Sequence, residues 1–145
     1  MNSKNRMKIE FDSNTNNIGF ARVCVAAFLT QLNPTLEEVS DVKTAVSEAV
    51  TNAVIHGYDK EEGGQVELTS VLEEDMLTIK IVDKGRGIED VGKAMEPLFT
   101  TKAENEHSGM GFMFMQAFMD EVKVESNIGV GTIVTMKKRI GCEQI

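Results

Sequence analysis

The chain has 145 residues, a length that suits one compact domain on a single core. It is 41% hydrophobic and 26% charged, and 15 basic against 23 acidic residues leave a formal charge of −8. That balance argues against direct nucleic-acid binding, which needs clustered Lys and Arg, and favours a basic partner surface. The opening MNSKNRMKIEF lacks the apolar core of a signal peptide, and no apolar run reaches 18 residues. The expected location is the cytoplasm, with no membrane partner. Cys24 and Cys142 lie far apart without metal-type spacing and read as free thiols.

Residues 6–13 alternate apolar and polar at Met7, Ile9 and Phe11, which predicts a strand. Residues 17–32 carry apolar groups at helical spacing. Pro34-Thr35 opens a second helix, where Thr35 and Glu38 form an S/T-x-x-E capping box. This helix is expected to run to about Ile55, with Gly57 as its stop. Residues 65–73 and 76–83 read as two strands of an antiparallel hairpin. Residues 84–108 are irregular, with a short helix expected at 89–95. Residues 109–118 predict a buried helix that starts on glycines, and strands follow near 120–126 and 131–139. The order predicts an α+β two-layer sandwich: one mixed, mostly antiparallel sheet with helices on one face.

The second helix holds SEAVTNAVIHGYDK, in which Glu48, Asn52 and His56 recur at steps of four. They form a polar stripe through an apolar stretch. Taken alone, the stripe also suits a solvated helix face. GIEDVGK, residues 87–93, matches the glycine-lysine core of a P-loop. However, Ala94 stands where a Ser or Thr should hold magnesium, and Glu89 and Asp90 would repel phosphates. The stronger pattern is distributed. DKGRGI (83–88) ends a strand with an aspartate and two glycines. HSGMGF (107–112) starts a helix on glycines, where free N–H groups suit phosphates. NIGVGT (127–132) precedes the last strand.

The ordered set Glu48, Asn52; Asp83, Gly85, Gly87; Gly109, Gly111; Gly131, Thr132 resembles the GHKL superfamily of ATPases and kinases. That superfamily includes gyrase-type ATPases and histidine kinase catalytic domains. The resemblance covers nearly the whole chain and implies the Bergerat ATP-binding fold over 1–145, with an ATP lid at about 95–108. SEAVTNAVIHGY, PLFTTK and SGMGF narrow it to the bacterial anti-sigma factor serine kinases of the sporulation type. From the sequence, neither phosphoacceptor or dimerisation helices before the site nor a transducer domain after it are expected. This is unlike a whole histidine kinase or a gyrase.

The resemblance implies a role for each matching residue. Asn52 would bind Mg²⁺ through its side-chain oxygen, and Glu48, one turn earlier, would act as general base on the attacking hydroxyl. Asp83 would accept from the adenine amine, with Thr132 in the same network. Gly85 and Gly87 would let the backbone approach the base, and Ile88 would pack on it. Leu98, Thr100, Thr101 and Lys102 would open the lid. His107, Ser108, Gly109, Met110, Gly111 and Phe112 would surround the phosphates. At His107 related kinases commonly carry an arginine. A protonated His107, compensation by Lys102, or slower transfer would each accommodate the change. Arg22, in FARVCVAAF, is either a partner contact or a surface arginine. His56 is either structural or adjacent to the pocket.

The function implied is a homodimeric anti-sigma factor using ATP and Mg²⁺. It would hold a sporulation sigma factor of the F type and phosphorylate a serine on an anti-anti-sigma protein. Two alternatives stand beside it: a general-stress-type kinase of the same family, and a non-catalytic ATP-gated binding module.

Overall fold

The computed structural model describes residues 4–57, 64–95 and 111–141. Within them the alternating segments become five strands: β1 (Lys4–Asp12), β2 (Gln65–Glu73), β3 (Met76–Asp83), β4 (Glu121–Asn127) and β5 (Gly131–Arg139). They form one sheet in the order β1-β2-β3-β5-β4, and every pairing is antiparallel. Because side chains alternate between faces, each inward residue meets inward neighbours on the next strand. One such row reads Ile9, Leu68, Ile81, Val134, Val124, and the next reads Met7, Ser70, Ile79, Met136, Val122. Leu68, Ile79, Ile81 and Met136 are almost fully buried. Each such side chain contributes about 1.5–3 kcal/mol.

Helices α1 (Asn17–Leu29) and α2 (Leu36–Thr51) belong to the layer that covers this face. In α2 the buried residues Val42, Ala45, Val46, Ala49 and Val50 recur at three- and four-residue steps, the stripe of a core-facing helix. Ala21, Val25 and Leu29 do the same in α1, while Phe20 and Val23 point outward, each more than half exposed. A four-residue α3 (Val91–Ala94) and a helix α4 (Gly111–Phe118) complete the described elements, and α4 packs on α2. The helix expected at 89–95 is therefore one turn. The helix expected from 109 is seen from Gly111, since 109 and 110 lie outside the described residues.

The second helix departs from expectation at its end. Its α-helical part stops at Thr51, and Asn52–Gly57 continue as a π-helical turn. Ala53 and Val54, adjacent in sequence, are both buried there, and the turn packs on β3 and β5. The wider turn puts Asn52 at the junction. Such π segments recur at functional sites.

At the other end of α2 the capping box forms as expected. Thr35 Oγ1 accepts from the Glu38 N–H at 3.0 Å, and Glu38 Oε1 accepts from the Thr35 N–H at 2.9 Å. The second oxygen, Glu38 Oε2, accepts from the Gly141 N–H at 2.9 Å, tying the start of α2 to the chain just beyond β5. Burial pushes the Glu38 carboxyl up. The hydrogen bonds from Gly141 and Thr35, with the charge of Lys138, outweigh it and leave the group below its ordinary range. A lowered folded pKa stabilises above the unfolded value, and that stability is lost as pH falls through the folded one. Glu38→Ala should cost about 1–2 kcal/mol at pH 7, read from urea unfolding. The difference from the native chain should shrink as pH falls below about 4.3, the ordinary glutamate value.

Ser70 presents the opposite case. It is fully buried in the apolar row, and its hydroxyl has no hydrogen-bond partner. An unsatisfied buried hydroxyl costs about 1–3 kcal/mol. Ser70→Ala should leave the fold unchanged and raise the urea midpoint, by about 1 kcal/mol in stability. A lower midpoint would show that the hydroxyl has a role in the fold.

Candidate nucleotide site

The site begins where the sheet's inward face changes character. One end row reads Phe11, Val66, Asp83, Thr132, Ser126, so three adjacent strands end in polar groups. Asp83 and Thr132 are both buried, at 6% and 7% exposure. Asp83 Oδ1 accepts from the Gly85 N–H at 2.9 Å, and the carboxylate also accepts from the Thr132 N–H. Burial pushes the Asp83 carboxyl above its ordinary range, although these two N–H groups pull it back. A buried carboxylate that keeps accepting capacity suits a ligand edge bearing N–H donors.

The D-x-G-x-G loop after β3 is fastened across the β4–β5 hairpin. The Gly129 N–H donates to Arg86 O at 2.8 Å, and the Ile88 N–H donates to Ser126 Oγ at 2.7 Å. Gly87 has φ +82°, and a Cβ there would collide with the Asn127 carbonyl oxygen. Gly131, at φ +137°, is equally confined by the Asp83 carbonyl oxygen. Both positions require glycine because backbone meets backbone. Gly85, Gly87, Ile88, Asp83 and Thr132, all expected at the site, therefore come together. Ser126 was not foreseen; its place opposite Thr132 depends on strand register, which only the inward alternation of β4 hints at.

The second half of the site comes from the helix layer. A Cβ at Gly111 would lie 3.1 Å from Asn52 Nδ2, 3.3 Å from Asn52 Oδ1 and 3.5 Å from Glu48 Oε1. The stripe of Glu48 and Asn52 thus meets Gly111, the first described residue of α4. Only glycine leaves those side chains undisturbed. Asn52 Nδ2 is buried with no partner. An amide with an unsatisfied donor, beside an oxygen able to ligate a hard cation, suits phosphate and magnesium together. Phe112 turns its side chain into the core. The π turn carrying Asn52 packs on β3 and β5, the strands of Asp83 and Thr132, so the two halves are neighbours. Leu98, Thr100, Thr101, Lys102, His107, Ser108, Gly109 and Met110 lie outside the described residues, as does Cys142.

Three further expectations can be placed. Arg22 Nη1 donates to Ser47 Oγ at 3.4 Å, on the rim of an open cavity of about 570 Å³ that also reaches Glu48. Cys24 is a free thiol, and burial pushes its pKa up. The P-loop-like residues 87–93 lead only into the single turn of α3, too short to hold a phosphate as a P-loop helix does. Among the described residues, no three His, Cys, Asp or Glu side chains cluster as metal ligands, and no helix is long and apolar enough to cross a membrane.

Comparison with known proteins agrees with this geometry. Residues 11–138 match the family described as "Histidine kinase-like ATPase domain". The chain is 54% identical over 137 residues to the "Anti-sigma F factor" of Clostridium beijerinckii, covering 94% of this chain and 96% of that protein. It is 51% identical over 144 residues to the "Anti-sigma F factor" of Thermoanaerobacter sp., covering 99% and 100%. In fold, it is similar to the RsbU and RsbW domains of Rv1364c from Mycobacterium tuberculosis. There the TM-score is 0.63 at 23% identity, over 94% of this chain and 32% of that one. The catalytic domain of histidine kinase ThkA gives a TM-score of 0.60 at 17% identity, over 92% and 96%. The chain belongs to the anti-sigma F factor family, a branch of the histidine kinase-like, or GHKL, ATPases and kinases.

Proposed function

We propose that this chain is an ATP-dependent anti-sigma factor and serine kinase. Bound to ATP, it holds a sporulation sigma factor of the F type; it also phosphorylates a serine on an anti-anti-sigma protein. The observation that carries the reading is the convergence of Glu48 and the Asn52 amide on Gly111 of α4. A module that only bound nucleotide would have no need of a carboxylate at that point. Similarity over almost the full length to anti-sigma F factors supports the sporulation partner over a general-stress one.

In this reading Asp83 and Thr132 accept the adenine edge, with Gly85, Gly87 and Ile88 along the base. Asn52 holds Mg²⁺ through Oδ1 and offers Nδ2 to a phosphate oxygen. The metal supplies charge neutralisation to the phosphates when bound. The family resemblance assigns further nucleotide contacts to Leu98, Thr100, Thr101, Lys102, His107, Ser108, Gly109 and Met110, beside Gly111 and Phe112. Glu48 takes the proton of the partner serine. The serine oxygen then bonds to the γ-phosphorus as its bond to the β-phosphate oxygen breaks, and ADP leaves. Arg22 contacts the partner at the rim of the cavity that reaches Glu48. The net charge of −8 favours basic partner surfaces. The kinase acts as a homodimer in the cytoplasm, and light scattering of the purified chain reads that state.

The immobilised chain should retain the sigma factor in Mg²⁺-ATP and release it in Mg²⁺-ADP. Equal retention in both nucleotides, or none in either, would overturn the ATP-gated reading.

A further inference from the structure

Ser126 makes three contacts at one hydroxyl. It accepts from the Ile88 N–H at 2.7 Å, donates to the Gly131 carbonyl oxygen at 3.0 Å, and lies 2.8 Å from Thr132 Oγ1. A serine hydroxyl has one proton and two acceptor sites. A carbonyl only accepts and an amide N–H only donates, so two of the three contacts are fixed in direction. Ser126 has then given its proton to Gly131 and filled one acceptor site with Ile88. The remaining contact is satisfied only if Thr132 donates to Ser126. The Thr132 proton is thereby committed away from the site, and Thr132 presents lone pairs alone. Beside it stands Asp83, directly opposite across β3 and β5 and already an acceptor.

We infer that Ser126 is a specificity-determining residue: by holding the Thr132 hydroxyl as an acceptor, it makes this end of the site select a purine with an exocyclic amine over one with a carbonyl at the same carbon. The inference rests on the proposed adenine site at Asp83 and Thr132. Without Ser126, the Thr132 proton is free to turn and donate to a carbonyl oxygen. Ser126 touches no ligand in this account and acts through Thr132.

The test compares Mg²⁺-ATP with Mg²⁺-ITP, which exchange amine for carbonyl at that carbon and add a proton on the adjoining ring nitrogen. Affinities are measured by calorimetry on the full chain, with melting curves alongside. The native chain should prefer ATP. Ser126→Ala should narrow that preference by about tenfold, the scale of one exchanged hydrogen bond. Ser126→Thr, which keeps the hydroxyl, should restore it. In a Thr132→Val background, Ser126→Ala should change the ratio no further. An unchanged ratio in Ser126→Ala, or an equal drop in the Thr132→Val background, would overturn the assignment. If Ser126→Ala does not fold, the Thr132→Val chain still decides: a native ATP-to-ITP ratio there overturns the role of Thr132 and with it that of Ser126. A native chain that binds both nucleotides equally would instead contradict the adenine site itself.

Discussion

Glu48→Ala is expected to keep Mg²⁺-ATP affinity within about threefold of the native chain and to slow transfer to a partner serine by about 10²–10⁴-fold, the usual worth of a positioned general base. The separation of the two effects follows from the geometry. Glu48 Oε1 lies beside Gly111 of α4, one helical turn from Asn52, whereas the groups proposed to face adenine are on the sheet. Removing the carboxylate leaves Asp83, Thr132 and the Asn52 amide in place. Glu48→Gln, which fills the same volume without a basic oxygen pair, should show the same loss. Calorimetric ATP binding and single-turnover transfer measure the two quantities independently. If affinity and transfer fall together in both variants, Glu48 is a structural support for α4 and not the base.

The second large effect is expected at Asp83. Burial raises its carboxyl above the ordinary range, while the Gly85 and Thr132 N–H groups act against the rise. For a group with a raised folded pKa, the contribution to stability is full below the ordinary carboxylate value and is lost as pH rises through the folded one. Asp83→Asn keeps an oxygen for Gly85 and removes the charge. Its stability without nucleotide should fall by no more than about 1–3 kcal/mol, the cost of leaving the Thr132 N–H without its acceptor. Compared with Asp83→Asn, the native chain should lose stability as pH rises from about 4 towards neutral. Affinity for ATP should nevertheless fall by about 100-fold, because the amide turns N–H groups towards the adenine amine where an acceptor is required. Melting curves across pH and ATP calorimetry check both halves. Unaltered ATP affinity would remove Asp83 from the site. Severe unfolding of the variant would mean that its charge holds the loop, contrary to the direction of its pKa.

The legible parts of this chain were those governed by local periodicity. Alternation at Met7, Ile9 and Phe11, and again along 65–73 and 131–139, reads directly as strands with one buried face. Thr35 and Glu38 announce a capping box from their spacing alone, and the box forms. What spacing could not give were contacts between distant segments. The second oxygen of Glu38 finds the Gly141 N–H 103 residues away. Asn52 meets Gly111 only because α4 packs on α2. Ser126 sits opposite Thr132 through the register of a three-residue hairpin link, where a one-residue slip would turn it outward. The end of the second helix shows a different limit. Ala53 and Val54 suit an α-helix as well as a π turn, and packing on β3 and β5 decides between them. For the nucleotide site, the motif order across Glu48, Asn52, Asp83, Gly87, Gly111 and Thr132 was readable, while the fastening of the glycine loop onto the β4–β5 hairpin was not.

The measurement that tests the central claim most directly is transfer of the γ-phosphate from labelled Mg²⁺-ATP to an anti-anti-sigma protein by the purified chain. Label on a partner serine, released by phosphatase and absent when that serine is alanine, is the predicted result. Tight ATP binding with no label on the partner would contradict the kinase and leave a nucleotide-gated clamp in its place.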